Sequence, residues 1–163
     1  MARCAEARNE RGASAQIVPR RSLGALFAGA DETTVEQMDG FGRDLGIAFQ
    51  IADDLLDVLG DEKTMGKSLG TDLAKQKATL PVIRALELAS ETDRQAILDV
   101  VSGDDRRPQS LVPILERYGA IAYTRKRAAT FSQRARRRLD NLASTSCRDV
   151  LAAMTEFVVS RSM

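Results

Sequence analysis

From Thr34 to Leu59 the chain contains no proline, and its apolar residues change pattern part-way along. Met38, Phe41 and Leu45 recur at helical spacing and make a single stripe. From Ile47 onward apolar side chains occur nearly all round, as expected of a helix enclosed by other structure. A chain built on such a helix must supply further helices to cover it. The composition allows this: 44% of the residues are hydrophobic, only 4% are aromatic, tryptophan is absent, and alanine, leucine and arginine are plentiful. The sequence therefore predicts an all-α fold, with enough apolar material among 163 residues for one globular domain or a piece of one.

Helical pattern is expected over 21–29, 34–59, 79–88, 91–101, 109–118, 121–142 and 147–160, with Thr33 and Glu36 at capping-box spacing and Pro81 in a first turn. Residues 1–15 read as a loosely ordered leader with Glu6 and Glu10 but no apolar core of a secretory signal, and residues 16–163 as the folded part. Between Gly60 and Gly70 the segment GDEKTMGKSLG is polar, glycine-rich and without period.

Histidine is absent, which removes Ser-His-Asp and Cys-His catalysis and imidazole metal ligation together. Cys4 and Cys147 stand far apart in no metal-binding spacing, which fits a reducing, cytoplasmic setting. No apolar run is long enough for a transmembrane segment. The segment RKRAATFSQRARRRL is locally basic, but its cations spread around the helix and the net charge is only +1, so it reads as a solvated surface and no nucleic-acid partner is expected.

Against this background QIADDLLD places three carboxylates among isoleucine, alanine, leucine and valine. Asp53 and Asp57 stand one helical turn apart on the same side, while Asp54 is rotated from Asp53 by about 100°. Magnesium binds oxygen and is usually held by one or two carboxylates, with substrate phosphates and waters completing its shell. Lys67 and Lys77, with Lys63 and Lys75, follow on glycine-flexible chain, the charge pattern that suits a diphosphate bridged to the metal. GDEKTMGKS imitates a nucleotide P-loop, but five residues rather than four separate Gly60 from Gly66, and the segment follows a helix rather than a strand.

The run GRDLGIAFQIADDLLDVLGDEKTMGKSLGTDLAKQKATLP resembles the second aspartate-rich motif and following loop of the trans-type polyprenyl diphosphate synthases. RRSLGALFAGA and LAAMTEFVVSR are similar to that family's KTxxLF segment and C-terminal helix, so the resemblance covers roughly residues 15–161. It implies part of an isoprenoid-synthase-type helical bundle. It also implies that Asp53, Asp54 and Asp57 hold Mg2+, that Lys67 and Lys77 contact diphosphate, that Phe49 and Gln50 line the site beside the allylic carbons, and that Asp72 supports the loop. Ser22 and Leu23 stand where the family has lysine and threonine, with Arg21 as the nearest cation. The implied reaction condenses an allylic prenyl diphosphate with isopentenyl diphosphate, through electrostatic stabilisation of the leaving group and without an imidazole.

The family uses two aspartate-rich motifs, and one stands here; Asp104-Asp105 is followed by Arg106 and Arg107 and reads as a solvated turn. The chain is thus expected to be a C-terminal portion, whether a gene fragment, a mis-started sequence or one half of a split enzyme, inactive alone, with isopentenyl diphosphate used only if a partner supplies the missing half. Exposed apolar surface at Phe49, Ile51 and Leu55 is expected to follow, with homo- or hetero-oligomerisation. The alternative is a non-catalytic helical partner subunit of a prenyl synthase.

Overall fold

Asp31 begins the long helix by accepting the Thr34 amide on Oδ1 at 2.7 Å. The helix that follows, α1, spans Glu32–Leu59. The start therefore lies at Asp31 rather than at the expected Thr33–Glu36 box, because the aspartate already satisfies an orphan amide of the first turn. That contact holds the Asp31 carboxyl below its ordinary range. The computed structural model describes residues 24–59, 79–103 and 108–161. Residues 24–27 are helical, and α1 is followed by α2 (Leu80–Leu88), α3 (Glu91–Ser102), a 3₁₀ turn (Pro108–Leu111), α4 (Val112–Arg117), α5 (Ala120–Arg138) and α6 (Ser146–Ser160). No strand occurs among the described residues, and the all-α expectation holds.

Two further boundaries differ from the sequence pattern. The expected 109–118 helix divides because Pro113, in the first turn of α4, has no amide with which to continue a helical ladder. α5 stops at Arg138 rather than 142, where the Leu139 and Asp140 amides bond three residues back to Arg136 and Arg137 and tighten the last turn.

The chain packs as two compact units. One is built from the described parts of Asp53–Lys126, the other from the described parts of Ala7–Ala52 and Arg127–Met163. In the first, Leu55 and Val58 of α1 join Val82 and Ala85 of α2, Ile97 and Val100 of α3, Leu111, Leu115 of α4 and Ile121 of α5 in one buried cluster. A polar latch ties the ends of α3 and α4. Ser90 Oγ accepts the Asp93 amide at 3.3 Å, and the Tyr118 hydroxyl accepts the Ser90 amide at 2.9 Å. The same hydroxyl donates to Asp93 Oδ2 at 2.8 Å, an oxygen that Arg117 also reaches at 2.8 Å.

In the second unit the buried side chains include Phe41, Leu45 and Ile47 of α1, Phe131 and Ala135 of α5, and Ala152 and Val158 of α6. The Ser132 hydroxyl donates to the Thr155 carbonyl at 2.6 Å, joining α5 to α6 inside the core. Asp44, 1% exposed, receives Arg134 at 3.1 Å and Arg138 Nε at 2.8 Å. Gly40 permits this, because a Cβ there would collide with the Arg138 guanidinium.

Candidate functional site

The aspartate motif lies in the last two turns of α1. Ile47, Ala48, Ile51, Ala52, Leu55 and Val58 are all buried, as the sequence pattern requires. The helix is nevertheless not enclosed on every side. Asp53 is exposed, Asp57 and Leu56 are half-buried, and one and two turns before them Phe49 is 41% exposed and Gln50 half-buried. All five lie on α1 itself, so their spacing is a property of one helix: at 100° per residue they occupy an arc of about 120°. The motif is thus an edge along an otherwise buried rod.

Asp54 differs from its neighbours. It is 5% exposed and sits on the flank of the helix that turns towards Leu55 and Val58. Asp53 and Asp57 share the open edge, the two-carboxylate arrangement that the spacing predicts. Among the described residues no group of three or more acidic, cysteine or histidine side chains converges on a point that could hold a metal unaided. That donor set still fits magnesium, whose usual site combines one or two carboxylates with phosphate oxygens and water.

Exposure of Phe49 agrees with expectation, but Ile51 and Leu55 are 0% and 1% exposed, which corrects the expectation that they would be uncovered. They face the interior of the packed helices, Leu55 within the α2–α4 cluster. Besides Phe49, the exposed large apolar residues among those described are Leu26, Phe27, Leu88, Leu98, Val150, Met154 and Phe157. Arg21, Lys67, Asp72 and Lys77, together with Lys63, Lys75 and Asp104-Asp105, lie outside the described residues.

The basic segment is only partly the solvated surface expected. Arg125, Lys126, Arg136 and Arg137 are exposed, whereas Arg134 and Arg138 hold buried Asp44. Arg127 and Arg134 also lie over the Phe131 ring, at 5.3 and 5.0 Å from its centre. Phe131 is itself buried and offers no platform for a base. A groove of about 440 Å³ lined by Glu36, Asp39, Gly40, Arg43, Arg134 and Arg138 is balanced in charge, since Asp39 pairs with Arg43 at 3.0 Å and Asp44 with the other two arginines. The signal for the Asp44 clamp was a lone acid in an apolar stretch and two arginines four apart.

The family model described as polyprenyl synthetase matches residues 10–117. The chain belongs to the polyprenyl synthetase family. Among curated relatives of this polyprenyl synthetase chain, the short chain isoprenyl diphosphate synthase of Methanothermobacter thermautotrophicus is 38% identical over 149 residues, 91% of this chain and 46% of that protein. The geranylgeranyl diphosphate synthase of Mycobacterium tuberculosis is 42% identical over 99 residues, 57% of this chain and 28% of the relative. In the solved decaprenyl diphosphate synthase from Rhodobacter capsulatus, the similar region covers 92% of this chain and 47% of that one, with 33% identity and a TM-score of 0.82. A polyprenyl synthase from Caulobacter crescentus, solved with calcium and isoprenyl diphosphate, shares 30% identity over 87% of this chain and 44% of its own, with a TM-score of 0.76. The chain therefore spans about half the length of the relatives it matches. They are named as synthases, which does not favour the partner-subunit alternative. Among the described residues, no helix is long and apolar enough to cross a membrane.

Proposed function

We propose that this chain supplies the second-aspartate-motif side of a trans-prenyltransferase site, acting on an allylic prenyl diphosphate and magnesium. The observation that carries this reading is the open edge of α1, where Asp53 and Asp57 share one side of a helix whose other sides are packed. An exposed and a half-buried carboxylate one turn apart, next to an exposed phenylalanine and a half-buried glutamine, match the chemistry of a headgroup and a tail on one helix. Similarity to a synthase solved with calcium and isoprenyl diphosphate supports the same ligand class.

In this reading Asp53 and Asp57 hold the metal from the open edge, and Asp54 backs them from the buried flank. Magnesium, when bound, supplies positive charge to the departing diphosphate. Lys67 and Lys77 neutralise the oxygens left over, Asp72 supports their loop, and Arg21 stands in for the family's lysine as a phosphate contact. Phe49 and Gln50 flank the allylic carbons, Phe49 keeping water from the developing cation. With no histidine in the chain, the proton released on condensation passes to diphosphate. Condensation with isopentenyl diphosphate needs the family's other aspartate-rich motif, supplied by another subunit or further chain, because these 163 residues hold one. A cytoplasmic location belongs to the same reading and is supported by two cysteines that stand far apart in no disulfide-framework or metal-binding spacing.

The test is calorimetric titration with geranyl diphosphate, with and without magnesium. The unaltered chain should bind only with the metal, and Asp53→Ala should lose binding by at least about ten-fold, since an ionic contact at a metal site is worth more than about 1.4 kcal/mol. Equal binding by the variant would remove the aspartate edge from the site.

A further inference from the structure

Arg161, the C-cap residue of α6, lies with its guanidinium carbon 5.0 Å from the centre of the Phe49 ring and 5.9 Å from that of Phe157. Both rings are exposed, Phe49 at 41% and Phe157 at 62%, and both belong to the unit that contains Arg161. An exposed phenylalanine on a helix edge is free to change rotamer unless something covers a face of its ring. A guanidinium does so well: it is planar, permanently charged and weakly hydrated, so it stacks on an aromatic face without a large loss of solvation. The Arg161 backbone is held at the end of α6, its amide donating to the Phe157 carbonyl at 3.3 Å. The end of α6 therefore reaches the one aromatic residue on the open edge of α1.

We propose that Arg161 is a positioning residue that sets the Phe49 ring as a wall for the prenyl tail, and so governs affinity for the tail rather than for the diphosphate. This rests on the reading that Phe49 lines a prenyl diphosphate site. Cation–π contacts of this exposure hold a ring in one orientation, and the ligand then meets a preformed apolar surface.

Two titrations in the presence of magnesium separate the roles, one with inorganic diphosphate and one with geranyl diphosphate. Arg161→Gln should weaken geranyl diphosphate by about two- to five-fold, the factor that matches an exposed cation–π contact, and leave inorganic diphosphate unchanged. Arg161→Lys should recover part of the loss. Phe49→Leu should produce a similar loss, and adding Arg161→Gln to it should change nothing more, because the two act through one contact. Equal weakening of both ligands would mean that the guanidinium binds phosphate and would overturn the positioning role, as would an unchanged geranyl diphosphate affinity. Failure of the unaltered chain to bind inorganic diphosphate with magnesium would instead strike the aspartate reading itself, and this inference with it.

Discussion

Arg138 Nε donates to the buried Asp44 carboxylate at 2.8 Å, and the guanidinium occupies the space where Gly40 would carry a Cβ. Three positions, two on α1 and one on α5, thus form a single fitted contact in which the absence of a side chain is as necessary as the charges.

Gly40→Ala is therefore expected to destabilise the chain, although alanine in a helix interior normally gains about 0.5–1 kcal/mol over glycine. Arg138 must withdraw, and Asp44 loses one of two partners inside the core. The net loss should be about 1–3 kcal/mol, less than for a fully enclosed pair, because Arg138 is 33% exposed and returns to water. Urea unfolding of Gly40→Ala, Arg138→Ala and the double variant checks this. In the Arg138→Ala background the glycine substitution should become neutral or stabilising.

Asp93 makes part of the stability pH-dependent. The Tyr118 hydroxyl, and then the Arg117 guanidinium, hold its carboxyl below the ordinary value of 3.8. A carboxyl with a depressed folded-state pKa stabilises the fold above its unfolded pKa, and that contribution disappears as pH falls through the folded value. The stability gap between the unaltered chain and Asp93→Asn should be constant near neutrality and close in acid, starting about one unit above 3.8. Tyr118→Phe should narrow the same gap. Melting curves from pH 6 downward, about four units in all, record it, and a gap that widened in acid would contradict the latch.

Leu115 of α4 is fully buried among residues contributed by α1, α2, α3 and α5 within its unit. Leu115→Ala should cost about 2–5 kcal/mol, the upper end applying if the short helix cannot move in to fill the space. Leu98→Ala, at a position 42% exposed on α3, should change stability by less than about 0.5 kcal/mol. Paired denaturant titrations distinguish a packed cluster from a loose one.

Much of this molecule could be read before its coordinates. Apolar period placed six of the helices, because a helix satisfies its backbone locally and its buried face repeats at 3.6 residues. Pro81 in the first turn of α2 and the spacing of Asp53 and Asp57 were equally local. The end of α5 was not legible, since apolar Leu139 and Leu142 continue the helical pattern past a turn made by backbone bonds.

By itself the sequence determined the helical class, the family and the side of α1 on which two carboxylates fall, because each follows from residue type and from neighbours within a turn or two. Only the tertiary structure decided that the aspartate helix keeps an open edge, with Ile51 and Leu55 covered and Phe49 uncovered. It also decided that Arg138 serves Asp44, 94 residues away, and that Arg161 lies over Phe49. Burial and pairing at that range depend on which faces of distant helices meet, and helical periodicity shows which face is apolar but not what covers it.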